Sequence, residues 1–511
     1  MKTGAAGRID DAYKRGLKLA HEGRHAEAIE AFERALARRP NDARVLFALG
    51  NTAEAVGHRD AAETFFRRVL AQEPDRLEVL VNLGNLLRAG NRTADAVALL
   101  KPALERNPAE PSLWLTLGSA LNEAGDAKTA EIFYREALRL SPGYALAQGN
   151  LADLLFDRGA TDDALAMYDE VVRNEPENAQ ARLNRAVLLL VTGDLKRGWD
   201  DYEYRLAVKG RALHRDHGLP QWDGSTKENL HLLVEAEQGV GDQLAFVSLI
   251  PELAENLAHQ GGRVILEAEP RLVPLFARSF PQIRVHASDI ETRGGRKLAH
   301  YPWLGTEGGA DCAVAMGSLP RFLRAKIEDF PKPHAYLVPS EERVIWARWL
   351  EAQGKPPYVG LCWRSGLMGG TRNIQYAPLE AWGTFLRDVP GTLVSLQYDG
   401  RTEEISALEH MSGRKIFVPP NLDQKQEIDR TASFIAALDA VASAPTAVSW
   451  IAAGLGVPTL KLLYKTSWMA LGTDYEPFAP ACRCIMPEDG GDWATTFSKA
   501  AGALHAMQFQ E

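Results

Sequence analysis

Cysteine is scarce in this chain of 511 residues, which contains four: Cys312, Cys362, Cys482 and Cys484. None of them shows the C-x-x-C spacing of a zinc site, and Cys482 and Cys484 form only a weak pair for metal or redox chemistry. This usage excludes a disulfide scaffold and is typical of reduced thiols, so a cytoplasmic location is expected.

Long apolar runs and a large charge excess are also lacking. No window approaches the ~18 consecutive apolar residues of a membrane-spanning helix, and the charged start is not followed by the apolar core of a signal peptide. The formal net charge is −9, which argues against nucleic acid as a general partner. A hydrophobic fraction of 46 % and a charged fraction of 24 % are typical of a globular protein. The length suggests about three domains.

The first 206 residues contain a repeat of 34 residues. Proline, alanine, a large apolar or aromatic residue, and glycine each recur at this interval. The columns are Pro40, Pro74, Pro108, Pro142 and Pro176; Ala28, Ala62, Ala96, Ala130 and Ala164; Phe32, Phe66, Leu100, Tyr134 and Tyr168; and Gly16, Gly50, Gly84 and Gly118. The spacing resembles the tetratricopeptide repeat, in which small residues let two antiparallel helices pack closely and a proline closes each unit. A sixth unit at 181–205 lacks the proline, as expected where a solenoid is capped or fused.

An all-α tetratricopeptide solenoid over residues 1–206 predicts a concave groove that binds an extended or helical peptide of a protein partner. The alternative is a spacer or a dimerisation arm, because a repeat fold does not by itself prove a ligand.

The second half alternates short apolar runs with helical segments after a polar connector at 207–228. This alternation predicts two Rossmann-like α/β lobes, at 229–335 and 336–511, each with a parallel, doubly wound sheet. Ligands of such lobes bind at the carboxyl ends of the strands. A helix is predicted over 430–441, and another begins at Thr446. The predicted strands lie at 230–236, 263–268, 311–315, 358–363, 392–397, 415–418 and 458–463.

A set of motifs in this half resembles bacterial glycosyltransferases of the GT-B fold. They are EAEQGVGDQLAF at 235–246, WRSG at 363–366, VSLQ at 394–397, TASFIAALD at 431–439, APTAVSW at 444–450 and GLGVP at 454–458. The half is similar to the ADP-heptose heptosyltransferases, and its combination with repeats looks most like the alphaproteobacterial flagellin glycosyltransferases. The resemblance implies an inverting transferase that acts on serine or threonine of flagellin held by the repeats. The nucleotide-sugar donor that it implies is a CMP-activated nonulosonic acid such as pseudaminic acid.

The resemblance also implies site residues in the first lobe and at the helix that begins at Thr446. Asp242 is the expected general base for the acceptor hydroxyl, the alternative being a helix-capping carboxylate. Gln238 and Gly241, in the same turn, are expected to contact substrate. Thr446 and Ser449, with the backbone N–H groups of their helix, are expected to bind the donor phosphate. The alternative for Thr446 is a simple cap.

Further candidates lie in the second lobe. Arg364 and Arg372 are expected to neutralise charge on the departing phosphate, with Arg372 as a catalytic group, unless their glycine-rich loop is only a solvated surface loop. Gln397 and Tyr398 end a strand and are candidate nucleotide contacts. Lys461 is a further candidate contact, with a surface charge as the alternative. The chain has no Asp-x-Asp sequence, which fits a reaction without a metal or another cofactor.

Two departures from the heptosyltransferases leave donor specificity and activity open. Ala444-Pro445-Thr446 stands where those enzymes usually have Val-Asp-Thr, and Trp450 stands at the position of a histidine. One alternative function is therefore a sugar transferase acting on lipopolysaccharide or another glycan. The other is an inactive transferase-like adaptor or chaperone.

Overall fold

The computed structural model describes residues 3–208, 213–237, 239–293, 296–306, 308–331, 334–366, 375–399, 402–487 and 493–507. The chain forms two compact units. The first contains the chain up to Ala181 and the short segment Glu291–Leu298, and the second contains Arg182–Ile290 and Ala299–Glu511. The sixth repeat therefore belongs largely to the second unit. The predicted domain boundaries at 206, 228 and 335 stay predictions.

The described part of the first unit up to Ala181 is built from helices that pair in chain order, as the 34-residue interval predicted. Each proline of the repeat lies in the turn between two successive pairs, where its missing N–H group costs no helical hydrogen bond. The helices are α1 (Thr3–His21), α2 (His25–Leu36), α3 (Ala43–Ala55), α4 (Arg59–Leu70), α5 (Leu77–Ala89), α6 (Thr93–Arg106), α7 (Pro111–Glu123), α8 (Ala127–Leu140), α9 (Ala145–Asp157) and α10 (Thr161–Asn174).

The glycine column lets the two helices of a unit approach closely. A Cβ atom on Gly50 would lie 2.4 Å from Cε1 of Phe66, and one on Gly16 would lie 2.4 Å from Cε1 of Phe32. Both phenylalanine side chains are fully buried. The large residue of each repeat therefore fills the space that the glycine leaves, and a larger residue at either glycine would push the helices apart.

The second unit begins with the sixth helical pair and continues as two α/β lobes. The pair is α11 (Ala179–Val191) and α12 (Leu195–Tyr202). The first lobe contains β1 (Leu213–Arg215), β2 (His231–Glu235), α13 (Val240–Phe246), α14 (Ile250–Ala258), β3 (Arg263–Ala268), α15 (Val273–Ser279), β4 (Arg284–Ala287), β7 (Cys312–Ala315) and α16 (Leu319–Leu323). Between β4 and β7 along the chain lie β5 (Asp289–Arg293) and β6 (Arg296–His300), most of whose residues belong to the segment Glu291–Leu298 of the first unit. The second lobe contains α17 (Glu342–Gln353), β8 (Tyr358–Cys362), α18 (Leu379–Asp388), β9 (Thr392–Ser395), α19 (Thr402–Ser412), β10 (Ile416–Phe417), α20 (Ile428–Ile435), β11 (Ala440–Ser443), α21 (Ala447–Gly454), β12 (Thr459–Leu462), β13 (Cys482–Ile485) and α22 (Trp493–Ala506).

The main sheet of each lobe is parallel and reverses its strand order at one point. The first sheet has the order β4-β3-β2-β7, and the second has the order β10-β9-β8-β11-β12-β13. Neighbouring strands pair in parallel throughout both sheets. In both sheets the chain starts at an inner strand, moves outward, and then returns to the other side of that first strand. The reversal points lie between β2 and β7 and between β8 and β11, where doubly wound sheets open a crevice.

One predicted helix is wrong in its second half. The helix predicted over 430–441 ends at Ile435, and Ala440–Ser443 forms β11, a fully buried strand between β8 and β12. Short runs of small apolar residues fit a helix and a buried strand equally well, so tertiary pairing decides. The sequence also did not predict the short strands β1, β4, β5, β6 and β13.

Helix α12 packs within the core of the second unit. Trp199 is 1 % exposed, and its indole N–H donates to the carbonyl of Arg324 at 3.0 Å. The ring also lies edge-on to Trp468 and Phe478, with ring centroids 6.4 and 6.2 Å away. The last helix of the repeat pattern is therefore an integral part of the α/β unit. Across the described ranges, every helix is too short or too polar to cross a lipid bilayer.

Candidate functional site

The carboxyl ends of β8 and β11 form the first half of the candidate site. Cys362 and Ser443 end these two strands as direct partners, and the Ala444 N–H donates to the Cys362 carbonyl at 2.7 Å. The hydroxyl of Thr446 lies 3.5 Å from the Cys362 sulfur and 3.3 Å from the Ser443 hydroxyl. Thr446 therefore lies at the point where the strand order reverses.

Helix α21 begins at this point. Thr446 is its N-cap residue, with extended backbone angles, and it is 9 % exposed. Ser449 is fully buried, and its hydroxyl donates to the Thr446 carbonyl at 2.8 Å, so its side chain is occupied by the helix itself. The first-turn amides of an eight-residue helix and its dipole suit an anionic group.

Cys362 lies beneath this helix start as a neutral thiol. Burial raises the pKa of the Cys362 thiol to about 11, although hydrogen bonds from Thr446 and Ser443 act in the opposite direction. A thiol with this pKa is almost entirely protonated near neutral pH and is therefore a poor nucleophile. Its contribution is to pack and hydrogen-bond the end of β8 against the start of α21.

Gln397 and Tyr398 hold the loop that follows β8. The side-chain oxygen of Gln397 accepts from the N–H groups of Trp363 and Arg364 at 3.1 and 3.2 Å, and its amide donates to the Arg364 carbonyl at 3.0 Å. The Tyr398 hydroxyl accepts from the Gly366 N–H at 2.8 Å. Gln397 and Tyr398 follow the end of β9, and their polar atoms fix the loop after β8. Their role as nucleotide contacts stays a prediction.

Arg364 is held by two carboxylates. Its guanidinium donates to Glu404 at 2.7 and 2.9 Å and also bonds Asp399, and Arg364 is 5 % exposed. Burial acts to lower the pKa of Arg364, but the two carboxylates outweigh it and hold the pKa above its ordinary value. A phosphate would therefore meet a cation whose charge is already balanced. The phosphate-binding role of Arg364 stays a prediction.

The second half of the site is the turn between β2 and α13. Asp242 occupies the third position of α13, is half-buried, and accepts from the Gly239 N–H through Oδ2 at 3.1 Å. This bond closes the turn, and a carboxylate in the first turn of a helix is stabilised by the helix dipole. The hydrogen bond from the Gly239 N–H gives Asp242 a helix-capping role. Its role as the general base stays a prediction.

The two halves meet because α13 and α21 pack against each other. A Cβ atom on Gly241 would lie 3.4 Å from Cδ1 of Trp450, the fourth residue of α21. Tyr336 lies beside both helices: its hydroxyl donates to the Leu244 carbonyl at 2.8 Å, and its N–H donates to the Gly454 carbonyl at 2.9 Å. The first turn of α13, which carries Asp242, therefore lies against Trp450, four residues after Thr446.

Lys461 is buried beneath Trp450, and its interpretation as a surface charge is wrong. Lys461 is 2 % exposed, and its ammonium lies 2.7 Å from Oε1 of Glu476 and 3.8 Å from the centre of the Trp450 ring. Burial alone lowers the pKa of Lys461, but the Glu476 carboxylate outweighs it and raises the pKa above its ordinary value. The ammonium is therefore charged near neutral pH.

Two predicted site residues, Gln238 and Arg372, lie outside the described residues. Sequence reasoning missed Cys362 and Ser443, although both end a short apolar run followed by a turn, which is the pattern of a strand that leads into a ligand site. It also missed Glu476, because nothing in the sequence connects this residue with Lys461.

Sequence comparison defines the class of the N-terminal part, which is a tetratricopeptide solenoid. Sequence models of the tetratricopeptide repeat match residues 19–83, 81–145 and 150–210. Protein FlbA of Caulobacter vibrioides is 34 % identical to this chain over 319 residues, which are 62 % of this chain and 53 % of FlbA. The chain thus spans about half the length of that curated relative.

Two bacterial proteins of known structure are similar to part of the chain. TTC0263, a tetratricopeptide protein of Thermus thermophilus, is 26 % identical with a TM-score of 0.32 and covers 36 % of this chain and 99 % of its own. PilF of Pseudomonas aeruginosa is 22 % identical with a TM-score of 0.34 and covers 40 % and 94 %.

Proposed function

We propose that the second unit is a GT-B glycosyltransferase that transfers a sugar from a nucleotide donor to a protein hydroxyl, and that the repeats bind the acceptor protein. The observation that carries this proposal is the meeting of two helix starts. Helices α13 and α21 begin at the carboxyl edges of two separate parallel sheets, and Gly241 lies against Trp450. Two facing crevices of this kind suit a donor on one side and an acceptor on the other.

Each helix start has a chemical task in this proposal. The first turn of α21, with Thr446, binds the donor phosphate and stabilises the negative charge that grows on it as its bond to the sugar breaks. Asp242 removes the proton of the acceptor hydroxyl while the acceptor oxygen forms the new bond to the anomeric carbon. The attack occurs opposite the leaving phosphate, so the configuration of the sugar inverts. The reaction needs neither a metal nor another cofactor.

The acceptor and the donor are proposed from the sequence resemblance. The acceptor is serine or threonine of flagellin, and the donor is a CMP-activated nonulosonic acid such as pseudaminic acid. The tetratricopeptide solenoid supports a protein acceptor, because such repeats present grooves that suit peptides, whereas lipopolysaccharide has no need of one.

The direct test combines the full-length protein, purified flagellin and CMP-pseudaminic acid, followed by intact-mass spectrometry of flagellin. The expected result is a mass increase by whole sugar residues with release of an equal amount of CMP. Reactions with ADP-heptose and with a serine-rich protein unrelated to flagellin are the matched controls. Transfer to lipopolysaccharide but not to flagellin would instead establish the glycan transferase.

One observation favours an adaptor as the second candidate. Arg364 and Lys461, both predicted to meet the donor, are already paired with carboxylates. An adaptor would bind flagellin in a pull-down or in calorimetry. It would leave the mass of flagellin unchanged with CMP-pseudaminic acid and with ADP-heptose, and it would bind no nucleotide. That combination of results would replace the transferase proposal.

A further inference from the structure

The ion pair of Lys461 and Glu476 is unusual because it is closed off from solvent. The two side chains are 3 % and 0 % exposed. Oε1 of Glu476 accepts from Lys461 and from the Ser467 hydroxyl at 3.1 Å, whereas Oε2 has no hydrogen-bond partner within the part of the chain that the structure describes. A buried pair of this kind seldom stabilises a fold more than apolar residues of the same volume would. The role of this ion pair is therefore sought in what its two side chains contact, and not in the stability that it adds to the fold.

The ammonium of this pair faces the ring of Trp450. The 3.8 Å between Nζ and the ring centre is the geometry of a cation–π contact, which is strengthened here by the exclusion of water. Trp450 is 7 % exposed, and its Cδ1 edge lies against Gly241. The indole ring thus has the Lys461 ammonium over its face and the first turn of α13 at its Cδ1 edge.

We propose that Lys461 is a positioning residue: anchored by Glu476, it fixes the Trp450 ring, and that ring sets the spacing between the first turns of α13 and α21. This inference rests on the proposed function for what occupies the space beside these turns, namely the donor phosphate and the acceptor hydroxyl. In this proposal Lys461 itself contacts no substrate, whereas the sequence predicts that it contacts the donor.

The physical consequence concerns the distance from Asp242 to the donor. Without the Lys461 ammonium, the Trp450 ring loses the contact that fixes its orientation. The turn that carries Asp242 then no longer packs, through Gly241, against a ring edge of fixed position. A misplacement of ~1 Å between reacting groups can cost about 100-fold in rate. We expect loss of the cation to lower kcat by about 10- to 100-fold and to change KM for the donor little, since α21 still offers its first-turn amides.

The variants are chosen so that no buried charge is left unpaired. Lys461→Met combined with Glu476→Gln removes both charges at nearly constant volume. Lys461→Arg keeps a cation under the ring and should recover most of the loss. Lys415→Met is the matched control in the same lobe, because Lys415 is 68 % exposed and pairs with Glu409 at the surface.

The first measurement is independent of any enzyme activity. Hydrogen–deuterium exchange of full-length protein is followed by mass spectrometry for peptides spanning α13, with peptides of α3 as the internal reference. The double variant should take up deuterium faster in α13 alone, and Lys415→Met should match the wild type. Trp450→Phe, which leaves the ion pair in place, should also raise exchange in α13. Unchanged exchange in α13 in both Trp450→Phe and a folded double variant would overturn the proposal.

The second measurement is sugar transfer under single-turnover and steady-state conditions. A lower kcat in the double variant, recovered in Lys461→Arg, supports the positioning role. Faster exchange with an unchanged kcat would refute the connection between the ring and the site. If the wild type transfers no sugar at all, the proposed function fails, while the exchange data still decide whether Lys461 positions α13.

Discussion

Replacing Asp242 by asparagine separates the two roles that this residue can have. Oδ2 of Asp242 accepts a hydrogen bond from the Gly239 N–H at 3.1 Å. The side-chain oxygen of asparagine can accept the same bond, so the turn before α13 keeps its closure. The remaining loss is that of a negative charge in the first turn of the helix, which costs about 0.3–1 kcal/mol.

The expected loss of rate is much larger than this loss of stability. An amide cannot take the proton of the acceptor hydroxyl, and a positioned general base contributes about 10²- to 10⁴-fold to the rate. At about 1.36 kcal/mol for each factor of ten, the barrier rises by about 3–5 kcal/mol. The transfer rate and the unfolding temperature of Asp242→Asn should therefore change by very different amounts.

The chain contains a matched control for the helix-capping role. Oδ2 of Asp329 accepts from the Lys326 N–H at 3.0 Å, across the same three-residue spacing and in the same lobe. Asp329→Asn should lower stability by an amount similar to that of Asp242→Asn and should leave the rate of sugar transfer unchanged. The assays are single-turnover transfer to flagellin and thermal unfolding by circular dichroism. An Asp242→Asn enzyme that is as fast as Asp329→Asn would show that Asp242 is a cap only.

Three further predictions concern the second unit. Burial raises the pKa of Glu267 above its ordinary value of 4.5. The folded chain therefore keeps a proton on Glu267 at pH values at which the unfolded chain has released it, and the free energy of unfolding falls as the pH rises above 4.5. The stability advantage of wild type over Glu267→Gln should therefore shrink as the pH rises above 4.5 in thermal unfolding, and a constant difference would contradict this. Burial raises the pKa values of Cys362 to about 11 and of Cys482 to about 12, so native protein should resist iodoacetamide near neutral pH; rapid labelling of either residue, mapped by mass spectrometry, would refute it. Trp199→Ala should cost about 3–5 kcal/mol in urea unfolding, whereas Trp199→Phe, which loses mainly the bond to the Arg324 carbonyl, should cost about 1 kcal/mol. Equal losses would show that packing is not the main contribution.

The sequence predicts those parts of the fold that depend on local spacing. The columns that contain Gly50 and Phe66 predict helical pairs, because each contact lies within one repeat of 34 residues. The strand β11 was not predictable in this way, because Ala440–Ser443 is a strand only through its neighbours β8 and β12.

The candidate site was predictable in position but not in its charge pairing. The turns that carry Asp242 and Thr446 follow from alternating strands and helices. Whether a cation such as Lys461 is available to a ligand depends on which carboxylate reaches it, and Glu476 lies on a different segment of the chain. Pairings of this kind are decided by packing and leave no local pattern.

The position of α12 limits how this protein can be divided or recombined. A cut after residue 206 would remove Trp199 from its contacts with Trp468 and Phe478 and would separate Arg205 from Glu237, its partner at 2.5 Å. The fragment left behind would carry an exposed aromatic surface, and the Glu237 carboxylate would keep its hydrogen bond from the Gly317 N–H but lose its cation. The turn that contains Pro176 is the better junction for a hybrid protein. Exchange of repeat arrays, in the laboratory or in evolution, should therefore occur upstream of the sixth repeat.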